Sequence, residues 1–323
     1  MRSLLPLALL ALAGCIDDLA PQYRVTDLRI LAVRASIGGA TPSDATYADA
    51  IPGDTLSLQA LVANPLDRGP LAVTWYACLP DGTDAVPPCL DEQRLRDPAA
   101  LAGAPGVLAL GAGACDAAGP SRTCTVSVPI PAASDPAVEA GLAEVVRRAL
   151  EQPTRACSLY AEIPVVAVAE AGGLREVALK RVRLTPDPAT LEDPLAGAYV
   201  RNENPAVVAV RAGASEQACA AGPDLTPSSF PAERTFLCGP VSPGSQPYNT
   251  CGPAGERTLV PESLSWQWYV TGGEFPEVGG VGNAIDRAPE FERPPGAFTL
   301  WVILRDGRGG DGWFTLGVDA LGP

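Results

Sequence analysis

Leu71-Ala72-Val73-Thr74-Trp75-Tyr76 and Leu264-Ser265-Trp266-Gln267-Trp268-Tyr269 are the stretches on which the fold turns. In the first, Leu71, Val73 and Trp75 alternate with Ala72, Thr74 and Tyr76. In the second, Trp266 and Trp268 lie two apart and so share one face. That period is the signature of a β-strand with one side turned to a core. Upstream of the first stretch, Pro52-Gly53-Asp54-Thr55 turns into a strand with Leu56, Leu58, Ala60 and Val62 on one face and Ser57 and Gln59 on the other. Asn64 to Pro70 is another turn, and Asp27 to Ser36 is the first strand candidate. Downstream, Ile163 to Ala169 turns at Gly172-Gly173 into Val177 to Leu184, an apolar hairpin.

The same landmarks recur in order in the second half. Leu31-Ala32-Val33-Arg34-Ala35 is echoed by Val208-Ala209-Val210-Arg211-Ala212, and the Trp75 stretch by the Trp268 stretch. A closing hairpin returns as Phe298 to Leu304, a turn over Asp306-Gly307-Arg308-Gly309-Gly310, and Trp313 to Val318. Three matched landmarks predict two copies of one sandwich-like unit. One helix stands out between them. Asp135 caps it, Pro136 suits its first turn, and Val138, Leu142, Val145, Val146 and Leu150 share a face, predicting a helix that covers an open end of the first sandwich. Pro186, Pro188 and Pro194 mark a semi-rigid linker. A Pro/Gly/Ser-rich stretch between Cys219 and Arg257 reads as a long surface loop.

These residues resemble those of bacterial immunoglobulin-like domains, including the polycystic-kidney-disease and fibronectin type III relatives. The resemblance is carried by the Pro52 to Thr55 lead-in, the strand tryptophans Trp75 and Trp268, and the Asp306 to Gly310 hairpin. It implies an all-β chain of two immunoglobulin-like β-sandwich domains in tandem, the first with an inserted helix. The first unit departs from the pattern by running about 165 residues where a sandwich needs about 100, with the surplus between Cys78 and Cys157. The expected division is residues 23–186 and 201–323 for the sandwiches, joined by 187–200.

The N-terminus reads as a targeting segment. A cationic Met1-Arg2-Ser3 precedes an apolar run from Leu4 to Ala13, about half the length of a membrane-crossing helix. It ends in Leu12-Ala13-Gly14-Cys15, which resembles the lipobox of bacterial lipoproteins. The resemblance implies cleavage of 1–14, acylation of Cys15 and a lipidated tether over 15–22, enough acyl chain for stable anchoring. Ile16 rather than Asp after the cysteine favours the outer membrane. The expected setting is the cell envelope, with the membrane as a partner through the lipid.

Charge and composition narrow the function. The net charge is −14, Lys180 is the only lysine, and there is no histidine. An acidic surface repels phosphate backbones, so nucleic acid is excluded as a partner. Without histidine, Ser-His-Asp and Cys-His catalysis and His-based zinc or haem sites are excluded too. Besides Cys15 there are Cys78, Cys89, Cys115, Cys124, Cys157, Cys219, Cys238 and Cys251, an even set that reads as disulfides in an oxidising compartment. Cys78 with Cys89, Cys115 with Cys124, and Cys238 with Cys251 are the local pairings. Cys157 and Cys219 then pair across domains or stay unpaired. The closest acid pairs, Asp81 with Asp84 and Asp306 with Asp311, sit in Gly-containing turns, where Asp bonds its own backbone. No GxSxG element, P-loop or dinucleotide fingerprint is present. The expectation is therefore a non-catalytic adhesion, recognition or assembly role with no catalytic residue, cofactor or metal ion, and with a protein or carbohydrate ligand. The alternatives are a periplasm-facing accessory subunit of an envelope complex and an acid-pair hydrolase. One exposed tryptophan would favour carbohydrate.

Overall fold

The computed structural model describes residues 22–38, 46–78, 92–95, 97–116, 119–232, 234–242, 246–276 and 289–320. Cys15 and the residues before it, Asp81, Asp84 and Cys89 lie outside the described residues. The protein is all-β, with two immunoglobulin-like sandwiches.

In the first unit the strands are β1 (Arg29–Ser36), β2 (Asp49–Ala50), β3 (Thr55–Ala63), β4 (Ala72–Cys78), β5 (Val107–Cys115), β6 (Ser121–Pro129), β7 (Ala161–Ala171) and β8 (Leu174–Leu184). They form one ladder in the order β1-β3-β6-β5-β4-β7-β8-β2. The ladder doubles back on itself at β5. Val107 to Gly113 pair with β4, and Ala114 and Cys115 pair with β6, so β5 crosses from one layer to the other. The layers β1-β3-β6 and β4-β7-β8 correspond to the A-B-E and C-F-G sheets of an immunoglobulin-like sandwich. Between them lie Leu56, Leu58, Ala60 and Val62 of β3, Val73 and Trp75 of β4, and Val165, Ala167 and Ala169 of β7. The alternation read from the sequence is thus the inner face of a sandwich. At the crossing, glycine is required by close approach: a Cβ on Gly113 would lie 2.8 Å from the Trp75 indole nitrogen.

Several strands are apolar on both faces because both faces are covered. In β7, Val166 and Val168 turn away from the core and meet Tyr76, Cys78 and Leu101. Leu101 belongs to α2 (Pro98–Ala102), which follows α1 (Glu92–Leu95). The long helix, α3 (Pro136–Glu151), starts as its sequence predicts, with the Asp135 carboxylate accepting from the Ala137 amide at 3.0 Å. Val138 and Leu142 rest on the first core, while Val145, Val146 and Ala149 pack with Leu159, Leu195 and Tyr199. Leu150, placed on the same face by periodicity, is instead exposed. The linker contributes Leu191, Leu195 and Tyr199 to this cluster, so it is packed against the helix rather than standing free.

The second unit repeats the plan with shorter strands: β9 (Ala206–Val207), β10 (Arg211–Gly213), β11 (Thr235–Cys238), β12 (Val241–Ser242), β13 (Tyr248–Cys251), β14 (Arg257–Val260), β15 (Ser265–Val270), β16 (Glu290–Phe291), β17 (Phe298–Arg305) and β18 (Asp311–Val318). The sheets β10-β11-β16 and β15-β17-β18 again stand in A-B-E and C-F-G order, with the ribbons β12-β9 and β13-β14 beside them. Leu237, Trp268, Phe291, Leu300, Val302 and Leu316 fill the space between. α4 (Glu216–Ala220) packs on β10 and β11. The echo of β1 over Val208 to Ala212 is only half realised: the first strand is split into β9 and β10, and Val208 is exposed.

The two units share a third cluster. Leu31 and Ala32 of β1 and Leu61 and Ala63 of β3 face Trp301 and Ile303 of β17, with Val25 among them. The indole N–H of Trp301 donates to the Ser121 hydroxyl across the junction at 2.9 Å. Residues 23–25, counted with the first sandwich on sequence, lie on the second. Val25 N–H donates to the Val270 carbonyl at 2.8 Å, Val270 N–H returns to the Tyr23 carbonyl at 2.9 Å, and Tyr23 meets Phe275 edge-on. This segment runs parallel to β15 and covers its edge.

The disulfides follow the tertiary structure. Cys115–Cys124 joins the directly paired positions of β5 and β6, as expected. Cys238 bonds Cys219 of α4 rather than Cys251. Cys251 bonds Cys157, tying the β13-β14 ribbon to the segment after α3 across a separation of 94 residues. Cys78 is disulfide-bonded, with its partner outside the described residues.

Candidate functional site

The buried charged groups of the described residues converge where the β17-β18 hairpin meets the end of the first sandwich. Asp306, at the start of its turn, is 1% exposed. Its Oδ1 accepts from the amides of Arg308 at 2.7 Å and Gly310 at 2.8 Å, and its Oδ2 accepts from the Asn202 side chain at 2.8 Å. This is the Asp-to-own-backbone bonding expected of the turn. Gly310 cannot carry a side chain, since a Cβ there would meet Asp306 Oδ2 at 2.0 Å. Asp311 is equally committed. It pairs with Lys180 of β8 and with Arg305 at 3.1 Å, and its amide donates to Asn204. Asn204 also donates to the Ala35 carbonyl at 2.8 Å, which stitches the hairpin to β1.

A second layer lies behind. Asp49 of β2 is fully buried and accepts from the Tyr199 hydroxyl and from the Asn202 amide at 2.8 Å. Its other oxygen has no hydrogen-bond partner among the described residues. Arg308 bonds Glu262 at 3.0 Å and the Val200 carbonyl at 2.7 Å, and lies over the Tyr248 ring. Burial pushes the carboxyls of Asp49, Asp306 and Glu262 above their ordinary range, because the charged form loses its water. The Asp306 charge lifts Glu262 further, and burial followed by the Asp49 charge raises the Tyr199 phenol.

Two cavities flank this network. One of about 460 Å³ lies between β1, β8 and the hairpin, with Lys180, Arg181, Arg183 and Arg305 on its wall. The other, about 220 Å³, is lined by Tyr160, Tyr199 and Tyr248 with Arg183 and Arg308, beside the Cys157–Cys251 bond. Arg183 borders both.

Of the residues singled out on sequence, Asp306 and Asp311 do come together, as structural anchors. The five tryptophans are all buried or half-buried: Trp266 stacks on Trp268 at 6.1 Å, and Trp313 lies under Arg34. The single exposed indole that would have marked a sugar platform is not among them. Sequence reasoning missed Asp49, Tyr199, Asn202, Asn204, Glu262 and Arg183. The available signals were the solitary Lys180 in an arginine-rich chain and the polar run Arg201-Asn202-Glu203-Asn204 just after the linker.

Fold and junction define a class, the two-sandwich immunoglobulin-like protein with a polar lock between its units. No family model matches the chain, and no curated protein matches it. Among solved structures it is similar to the mouse nectin-like molecule 4 ectodomain (11% identity, 90% of this chain, 65% of that chain, TM-score 0.21). It is also similar to the C-terminal 282-residue fragment of intimin in complex with the intimin-binding domain of its translocated receptor (8%, 90%, 64%, 0.20). A third is the Ig1-2 module of Drosophila receptor protein tyrosine phosphatase DLAR (8%, 90%, 100%, 0.24). The chain thus spans just under two thirds of the first two. The class assignment rests on the strand order of the two units and not on these superpositions.

Proposed function

We propose that this chain is a lipid-anchored protein of the bacterial cell envelope with a non-catalytic adhesion, recognition or assembly role. The observation that carries the reading is the state of its best acid pair. Asp306 accepts three hydrogen bonds within the fold, and Asp311 is held between Lys180 and Arg305. Acids so engaged hold a framework; a general acid or base needs a free oxygen facing substrate. The Leu12 to Cys15 motif supports anchoring, and a body fused from two sandwiches supplies a rigid stalk and binding face.

The test is protease shaving of intact cells with peptide mass spectrometry and a lysed control, alongside metabolic labelling with a palmitate analogue. Peptides from both sandwiches released from intact cells, with label lost in Cys15→Ser, are expected. Release only after lysis would move the reading to a periplasm-facing accessory subunit. An unlabelled chain in the soluble fraction would remove the envelope anchor altogether.

A further inference from the structure

We infer that the 220 Å³ cavity beside the Cys157–Cys251 bond is a binding site for an acidic sugar, with Arg183 holding its carboxylate. The inference deepens the recognition role and rests on it. Arg183 lies over the Tyr160 ring at 4.2 Å and, among the described residues, makes no hydrogen bond or ion pair. Arg183 is the register partner of the buried Asp49 and offsets its charge through space, yet in a chain of net charge −14 its half-buried guanidinium keeps its N–H donors uncommitted. Its planar fork suits a carboxylate, and stacking on Tyr160 fixes its plane. The neighbouring cation Arg308 is neutralised by Glu262, so Arg183 supplies the one guanidinium fork on this wall whose donors are open to a ligand. That matches a monoanion better than a phosphate dianion.

The rest of the wall specifies what carries the carboxylate. The hydroxyls of Ser158, Tyr160 and Tyr248 have no hydrogen-bond partner among the described residues, and Asn249 uses only its amide N–H groups, on Gly197 and Ala198. No aliphatic side chain lines the cavity. A peptide would find no apolar pocket there, whereas a polyol ring would find hydroxyl and carboxamide partners on several sides. The volume suits one hexose-sized ring. A hexuronate, whose ring carries both hydroxyls and one carboxylate, meets each of these demands.

The experiment titrates the full chain in detergent, by saturation-transfer NMR and calorimetry, with sodium D-glucuronate and D-galacturonate. D-Glucose, sodium acetate, inorganic phosphate and Gly-Gly-Gly serve as comparisons. With about a dozen ligand atoms at ordinary efficiency, the expected Kd for a uronate is on the order of 1 mM. D-Glucose should bind at least tenfold more weakly. Arg183→Met should weaken uronate binding at least tenfold, and Arg183→Lys, which keeps the charge and loses the fork, should fall between. Melting curves establish that both variants are folded. Equal binding of glucose and glucuronate overturns the inference. So does acetate or phosphate binding as tightly as glucuronate, tighter binding of Gly-Gly-Gly, or uronate binding that a folded Arg183→Met leaves unchanged. Outward display in the shaving experiment with no uronate binding sinks this site alone. A soluble, unlipidated chain sinks the envelope role and leaves the titration to be judged by itself.

Discussion

Replacing Trp301 by alanine should destabilise both sandwiches together. Trp301 belongs to β17 of the second unit and is fully buried, yet its neighbours Leu31, Leu61 and Ala63 and its hydrogen-bond partner Ser121 belong to the first. Removing a buried tryptophan side chain costs about 3–5 kcal/mol in lost transfer energy and residual cavity. Loss of the Ser121 bond adds about 1 kcal/mol, partly included in that range. With a urea dependence of about 3 kcal/mol per molar for a chain of this size, a loss of about 4 kcal/mol lowers the midpoint by about 1.3 M. The assay is urea unfolding with disulfides intact, followed by tryptophan fluorescence and by hydrogen exchange on peptides from β3 and β17. If the shared cluster couples the units, both peptides lose protection at the same urea concentration, and Trp301→Ala moves both. Two separated transitions, with the β3 peptide unmoved by the substitution, would refute the coupling. A common shift below about 0.4 M would show that Trp301 is not central to it.

Other expectations follow from the junction and the cross-links. Lys180→Met leaves Asp311 buried with Arg305 as its remaining ion-pair partner, and should cost about 3 kcal/mol, while the double variant Lys180→Met/Asp311→Leu should recover most of it in thermal unfolding. Removing Cys157–Cys251, which spans a separation of 94, should cost about 4.7 kcal/mol in the chain-entropy model against about 2.6 for Cys115–Cys124 over a separation of 9, an order that parallel double-serine variants would test. Asp49 has a folded pKa raised by burial, so the native state keeps its proton to higher pH than the unfolded chain. Stability is therefore lost as pH rises from the ordinary value of 3.8 through the raised one. Asp49→Asn should flatten that part of the stability-against-pH curve; an unchanged slope would show that Asp49 does not titrate there.

Much of the architecture is legible in the amino-acid sequence, for physical reasons that are local. The first half of β3 buries one face and alternates with the pleat, while β4, β7 and β17 are covered on both faces and read as short apolar runs bounded by turns. The α3 start is a short-range bond between Asp135 and the next turn. The features that sequence patterns do not reveal are set by contacts distant along the chain. Val107-Leu108-Ala109-Leu110-Gly111-Ala112-Gly113 does not announce that β5 shifts register against Trp75 and Tyr76 and passes to β6 after Gly113, where the missing side chain makes room for Trp75. Cys238 and Cys251 are near in sequence, but the first lies on a sandwich sheet beside α4 and the second on a ribbon reaching toward α3. The polar junction draws Asp49, Lys180, Asn202, Glu262 and Asp306 from five separate segments, and no window of sequence holds more than a fragment of it.

The segment Tyr23–Val25 also decides how the molecule bears load. A pull at the N-terminal side reaches Tyr23 before any strand of the first sandwich. There it meets two backbone bonds to Val270 and the Tyr23 ring wedged against Phe275. Because the segment lies parallel to β15, a force along it strains both bonds at once instead of opening them in turn. Tension is handed first to the sandwich later in the sequence and returns to the earlier one through Trp301 and the hairpin lock. A pull on Tyr23–Val25 would therefore load the two sandwiches as one mechanical piece, where two domains strung on a linker would part at the linker.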